Sequence, residues 1–306
     1  MLQNTQTGNL RIRQKLGHCA TCFSQVETII FCFLCFLVLA GCQTAEHINA
    51  KQALEKGYNG FTGFVRPIAT TLKTSVGPIQ FYSEVTTIQI RNPDGDENII
   101  HKYEGELLEL DDRFVWNRKM KELEINGRKV DRKNNETFWT VQTLLDKSGN
   151  PTGITEVFFP GPIEKELSLT KRNAVINNAS KAMEGQYFLP KREISQGDDW
   201  LEFGKFLEKA FPDVAFSKSN IVSRIIGTTQ KFGRVAVVTV ISGNAIGWMA
   251  RPNDTLISVS GHQVNDLGTG LQVSHMAGMN LFVEGKKAKH WHTFSRGEVN
   301  RVIFGE

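Results

Sequence analysis

From about residue 60 onward, apolar and polar positions alternate with a period of two, in short runs broken by Gly, Pro, Asn and Asp. Alternation of this kind sends successive side chains to opposite faces of a β-strand. Val85–Ile90 (VTTIQI) stops at Asn92-Pro93-Asp94-Gly95-Asp96, and Lys102–Leu110, Arg113–Trp116 and Thr137–Leu145 follow, rich in aromatic and aliphatic residues. Leu123–Val130 holds Asn126-Gly127 between two runs, the strongest short hairpin signal. Gly153–Phe159 reads as a strand stopped by Pro160 and Pro162. Connections this short favour antiparallel pairing, because parallel neighbours need a long crossover.

One segment departs from that period. Ile163, Leu167, Ala174, Ile176, Ala179 and Met183 recur at helical spacing, with Gly185 placed to cap the end. A helix packed on the sheet is expected within residues 163–184, weakened by Asn173, Asn177 and Asn178 in its interior. The β pattern resumes with Ile221–Ile226 and Arg234–Ile241, separated by Gly227 and Gly233. The second of these is almost wholly apolar, which places it centrally with both faces buried. Leu256–Val264, Leu271–Met276, Met279–Glu284, Ala288–Phe294 and Val299–Phe304 complete a meander, with Gly268, Gly270, Gly278, Gly285 and Gly297 assigned to its turns.

The expected class is therefore α+β: mainly β with one substantial helix, as an antiparallel curved sheet or incomplete β-barrel packed on that helix. Residues 61–306 form the β-rich domain, with halves 61–162 and 186–306 joined by the helix. Whether the halves share one sheet is left open by the pattern.

The first 42 residues differ in kind. Arg11, Arg13 and Lys15 precede Ile29–Ala40, an unbroken apolar run of 12 residues that ends at Gly41. At about 1.5 Å per residue it spans roughly 18 Å, against a bilayer core of about 30 Å. That is short for a membrane-spanning anchor, the competing reading, and right for the core of a signal peptide. Leu39-Ala40-Gly41-Cys42 resembles a bacterial lipobox. The resemblance implies that residues 1–41 are a signal peptide cleaved between Gly41 and Cys42, and that Cys42 carries a diacylglyceryl thioether and an acylated amino terminus. Two or three acyl chains make such attachment effectively permanent, where a single chain binds only marginally.

Residues 42–60 then become a lipidated tether, with a short helix expected around residues 50–56. Under the enterobacterial sorting pattern, Gln43 implies the outer membrane with the domain facing the periplasm. An aspartate there would imply inner-membrane retention, which stays open because the pattern varies among bacteria. Glu27 and the long basic region depart from a simple leader and admit a start codon downstream of Met1.

Cysteine usage agrees with export. All five cysteines (Cys19, Cys22, Cys32, Cys35 and Cys42) lie at or before the cleavage point, and the 264 residues from Gln43 onward contain none. Exported chains either pair their thiols or dispense with them. Cys19-x-x-Cys22 and Cys32-x-x-Cys35 mimic zinc half-sites, but the second pair sits inside the apolar run, and both read as small residues of a discarded leader. Loss of residues 1–42 leaves a formal charge of +2. No clustered basic face remains, so nucleic acid is not an expected partner.

Candidate chemistry is sparse. His290 and His292 flank Trp291 and, on a strand, would share a face about 6.8 Å apart. With His262, His275 or Asp266 as third ligand they could form a zinc-type site with an open position, and hence a metal-dependent envelope hydrolase. The preferred reading is a solvent-facing or interface pair with Trp291 turned to the core, and no metal. Asn92–Glu97 lacks the EF-hand glycine and carboxylate, because those positions fall on Glu97 and Tyr103, so it reads as a turn. Gly197-Asp198-Asp199-Trp200 reads as a turn into a strand, its adjacent carboxylates pointing to opposite faces. No Gly-x-Ser-x-Gly elbow occurs, and acylation of Cys42 would leave no free thiol. Phe61-Thr62-Gly63-Phe64 and Phe158-Phe159-Pro160-Gly161-Pro162 are candidates to line an apolar groove.

The succession of elements is similar to the incomplete-barrel fold of bacterial lipoprotein-localisation carriers and receptors, which implies acyl chains held between a curved sheet and helices. The expectation is a membrane-anchored envelope lipoprotein acting as a non-enzymatic binding or assembly module. Its partner would be a lipid, an envelope protein or a cell-wall component, with no cofactor and no catalytic residue.

Overall fold

The computed structural model describes residues 61, 63–92, 95–131, 138–158, 173, 188–189, 191–199, 214–248, 255–283 and 291–305. Fourteen strands occupy them. β1 (Leu72–Lys73) pairs with β8 (Glu193–Ile194) as a small separate ribbon. The first half contributes β2 (Ile79–Asn92), β3 (Gly95–Leu110), β4 (Arg113–Ile125), β5 (Arg128–Lys129), β6 (Thr140–Asp146) and β7 (Pro151–Phe158). The second contributes β9 (Ala215–Ser219), β10 (Val222–Lys231), β11 (Arg234–Trp248), β12 (Thr255–Asp266), β13 (Gln272–Val283) and β14 (Trp291–Phe304).

Both halves belong to a single 12-stranded antiparallel sheet in the order β10-β11-β12-β13-β14-β2-β3-β4-β6-β7, with β5 beside β4 and β9 beside β11. The join is the β14–β2 pair, which runs from His292↔Arg91 to Phe304↔Ile79. The last strand of the chain thus closes against the first long one, uniting halves that are far apart in sequence.

The α+β expectation is corrected here: the described residues form an open antiparallel β sheet, and no helix occurs among their elements. The segment expected to be helical, 163–184, lies outside the described residues apart from Asn173, as does the short helix expected at 50–56. What covers the sheet among the described residues is extended chain. The Leu189 amide donates to the Gly270 carbonyl and the Lys191 amide to the Ser148 carbonyl. Those acceptors sit in the β12–β13 and β6–β7 turns, five strand spacings apart along the sheet from β13 to β6. A flat sheet would separate such turns by roughly 24 Å, yet two residues of chain span about 7 Å at most. The sheet is therefore strongly curled, with this segment and the β1–β8 ribbon closing one end.

Register shifts between Ile79 and Tyr82, Lys102 and Tyr103, Ile225 and Gly227, Val264 and Asn265, and Val299 and Arg301 bend the long strands toward that curl. The residues within it alternate cleanly. Tyr82, Glu84, Thr86, Ile88 and Ile90 of β2 all point inward. β11 is buried on both faces from Ala236 to Ser242, as its apolar sequence requires. Two glycines assigned to turns prove to lie within strands, Gly278 in β13 and Gly297 in β14, and Gly227, expected between two strands, lies at the β10 bulge.

Asn126 and Gly127 take φ of 50° and 78°, the two positive values a tight hairpin needs for its twist to match the strands. A Cβ at Gly127 would meet nothing within 4 Å, so Gly127→Ala isolates the conformational cost. Chemical denaturation should show a loss of about 1 kcal/mol, the penalty of placing a side chain in the left-handed region.

Candidate functional site

The inner face is not a uniform apolar core. Across β2, β3 and β4 it carries Tyr82, Glu84, His101, Tyr103, Trp116 and Arg118, all buried. Arg118 lies on β4 in phase with Trp116 and Met120, so the strand period itself carries the guanidinium inward. Its Nη2 donates to both carboxylate oxygens of Glu84 at 3.0 Å. Thr86 Oγ1 donates to the same carboxylate at 2.9 Å. The Arg118 guanidinium carbon sits 3.7 Å from the Tyr103 ring centroid, a cation–π contact between two fully buried groups.

β3 separates Glu84 from Arg118, and Gly105 is the residue between Tyr82 and Arg118 in the register. A Cβ there would come within 2.4 Å of both the Tyr82 ring and the Asn117 carbonyl. Glycine therefore opens the strand so that Tyr82 can lie across it, where Trp116 Nε1 donates to the Tyr82 hydroxyl at 2.7 Å. The same device recurs at Gly297, where a Cβ would meet the His275 ring at 2.0 Å. His275 lies over that glycine, 2.7 Å from Gln272 Nε2 and 3.3 Å from Ser295 Oγ. With the amide donating, His275 Nδ1 accepts and Nε2 keeps the proton.

The imidazoles of this face stay neutral. Burial, reinforced by the Arg118 charge, lowers His101 to about 3, and its Nδ1 lies 3.0 Å from the Tyr103 hydroxyl. Burial lowers His275 to about 4, with Glu84 opposing and Arg118 assisting. Burial also pushes the Tyr82 hydroxyl well above its ordinary range. Chemically the site is one buried ion pair surrounded by neutral, hydrogen-bonded rings. It can fix the relative positions of β2, β3 and β4 and set the polarity of the inner face.

Of the residues expected to matter, Gly41, Cys42 and His290 lie outside the described residues. His292 is placed by its backbone alone, opposite Asn280 and Arg91. His262 pairs with Met276, which in turn meets β14 at Arg296. That is four residues from His292, roughly 13 Å along the strand, so the register does not bring the two together. His262 is itself buried, edge-on to Phe61 with ring centroids 5.2 Å apart, and lowered to about 4 by burial. Gln263, not His262, stands opposite His275, which puts the two imidazoles on opposite faces.

Asp266 is committed elsewhere. It takes Arg234 at 2.9 and 3.2 Å, and it holds the β12–β13 turn through Thr269. Among the described residues no three His, Cys, Asp or Glu side chains converge as a metal site would require. Asp198 accepts the Ser195 amide, while Asp199 accepts the Ser223 hydroxyl, so the adjacent carboxylates serve separate structural roles. Phe64 lies near the free edge of β10 and Phe158 ends β7, the strand at the other end of the sheet order, while Thr62 and Phe159–Pro162 lie outside the described residues. Sequence reasoning passed over Glu84 and Arg118. Their signal was phase: each is a charge at the core position of an alternating strand, between Tyr82 and Thr86 and between Trp116 and Met120.

Arg118→Met leaves Glu84 buried without its counter-charge and should cost about 3–5 kcal/mol in urea unfolding. The double variant Glu84→Gln/Arg118→Met should lose less than the sum of the two single losses. The histidines predict an acid dependence as well. Their folded values lie near 3 to 4, against about 6.5 when unfolded. The unfolded chain therefore binds protons first as pH falls. Their contribution should be full above about pH 6.5 and decline toward pH 4, and His275→Gln should flatten that decline in urea midpoints measured between those limits.

No family model and no curated protein matches the chain. Seven chains among solved structures do. A DUF1329 family protein from Desulfovibrio piger is 7% identical, over 74% of this chain and 86% of its own, with a TM-score of 0.23. An outer membrane lipoprotein-sorting protein domain from Vibrio parahaemolyticus is 8% identical, over 74% of this chain and 85% of its own, with a TM-score of 0.22. These are weak similarities of fold and carry no residue or activity across.

Proposed function

We propose that this chain is an envelope lipoprotein, anchored through acylated Cys42 in the outer membrane with its sheet domain facing the periplasm, and that it acts as a non-enzymatic binding or assembly module. The observation that carries the reading is Leu39-Ala40-Gly41-Cys42 at the end of a 12-residue apolar run, ahead of 264 residues without another cysteine. The domain that follows supports the binding half of the reading. Its ionised inner pair is spent on itself, Arg118 on Glu84, and its buried rings are hydrogen-bonded, Tyr103 to His101, Trp116 to Tyr82 and His275 to the Gln272 amide. Such a face is built to hold shape and polarity, and its partner would be a lipid or another envelope component.

Cell fractionation tests the anchor. The wild-type chain should sediment with membranes and be released by detergent, whereas Cys42→Ala should be lost from the membrane fraction. Retention of that variant in membranes would contradict the lipidation.

A further inference from the structure

The closed end of the sheet is made by two stretches of chain that lie outside the 12-stranded ladder. One is a strap from Val65 to Val76 that leads into β2; the other is Phe188, Leu189 and residues 191–198. They run antiparallel along each other as a clasp. The Ile68 amide donates to Gln196 Oε1 at 2.8 Å, and Thr71 Oγ1 lies 3.3 Å from Ser195 Oγ. Next, β1 pairs with β8, and the Thr74 amide donates to the Arg192 carbonyl at 2.8 Å.

Both stretches dock in the same two turns. A Cβ at Gly270, in the β12–β13 turn, would come within 2.6 Å of the Leu189 carbonyl and 3.3 Å of the Ser75 carbonyl. A Cβ at Gly149, in the β6–β7 turn, would come within 2.7 Å of the Val76 side chain and 3.6 Å of that of Phe188. These glycines take φ of 73° and 87°, a conformation that suits glycine and leaves room for the close approach. The outer end of the strap is fixed at one point. Arg66 and Thr228 exchange both backbone hydrogen bonds, at 2.7 and 2.8 Å, with Val65 lying over Gly227.

The clasp is held differently from the sheet. β11 and β12 pair without a break from Ala236↔Asp266 to Gly247↔Thr255, whereas β1 and β8 pair over two residues. A two-stranded ribbon is marginal by itself. Arg66, Thr71, Lys73 and residues 191–193 are all exposed. What fastens the clasp is a small set of buried side chains, Thr74, Phe188, Leu189 and Ile194, with Phe188 edge-on to Trp116 at 5.0 Å between ring centroids. Exposed backbone bonds and few buried groups mark a segment that opens at a lower free energy than global unfolding.

We infer that the two stretches form a clasp that opens as one unit while the sheet stays paired, baring the Trp116 end of the inner face to solvent, and that the Arg66–Thr228 bridge is the pin that keeps it shut. The inference goes beyond the function proposed above and requires neither the lipidation nor a ligand.

Lys73 and Glu193 stand opposite each other in the β1–β8 register, both exposed. Opposed antiparallel residues have Cα atoms about 4.5–5.5 Å apart, within reach of a disulfide. The chain from Gln43 onward has no cysteine, so Lys73→Cys/Glu193→Cys in the full protein gives a clasp that oxidation locks and a reductant frees. Hydrogen exchange read by mass spectrometry then compares peptides covering 71–76 and 188–197 with peptides covering β11 and β12. In the reduced protein the two clasp peptides should exchange at one common rate, several-fold faster than β11 and β12. Oxidation should slow both several-fold and leave β11 and β12 unchanged. Arg66→Pro, which removes the amide that donates to Thr228, should speed the clasp peptides alone; an unchanged rate there would overturn the bridge as the pin. Clasp peptides no faster than β11 and β12, or an oxidation that slows all of them alike, would show that the clasp opens only with the sheet and would overturn the inference. Different rates for the two clasp peptides would overturn it too, because the stretches would then move separately. The redox comparison is made within one folded molecule, so it decides the inference even where Arg66→Pro fails to fold.

Discussion

A carboxylate and a guanidinium removed from water must find each other, and Glu84 and Arg118 do so across an intervening strand. A buried pair of this kind adds little net stability over an apolar replacement, but it penalises any arrangement that parts it. A one-residue slip of β2 or β4 would carry one charge to the opposite face and strand the other. The pair therefore specifies register for the three strands at the middle of the first half. Gly105 follows from the same constraint, since any side chain there would collide with Tyr82. Tyr82, held by the Trp116 indole, and Tyr103, lying on the guanidinium, complete the enclosure.

From that centre the curvature of the sheet has an evident use. Strands on either side bend at bulges until Leu189 and Lys191 can hydrogen-bond to turns that a flat sheet would hold far apart. The second half repeats the local solution with neutral groups, His275 over Gly297 in place of Tyr82 over Gly105. Inner polar groups of such a domain bond to one another, as Arg118 does to Glu84 and Trp116 to Tyr82.

Much of the strand order was legible in the chain. Asn126-Gly127 marked its hairpin because only a few residues tolerate two positive φ values, and the apolar run Arg234–Ile241 marked burial on both faces, although β11 lies second from one edge of the sheet and not at its centre. The helix expected at 163–184 illustrates the limit: apolar spacing there fits a period of 3.6 without an element among the described residues to receive it. Glycine was the other source of error. Gly227, Gly278 and Gly297 look like turn residues because glycine usually punctuates strands, whereas here two of them, Gly227 and Gly297, yield space to Val65 and His275, partners distant in sequence. The inner ion pair was visible only as phase, since nothing in Ser83-Glu84-Val85 or Asn117-Arg118-Lys119 announces which charge turns inward. The histidine pair at 290 and 292 attracted attention through proximity in sequence, while the register holds His262 well away from His292.

The account as a whole stands on Cys42 being the first residue of the mature protein. Mass analysis of the N-terminal peptide, taken from protein isolated out of its native membrane, addresses this without any variant. The prediction is a peptide beginning at Cys42, heavier than its amino acids by a diacylglyceryl group and an amide-linked acyl chain. A peptide that begins upstream of Cys42, with unmodified cysteines at positions 32, 35 and 42, would contradict it.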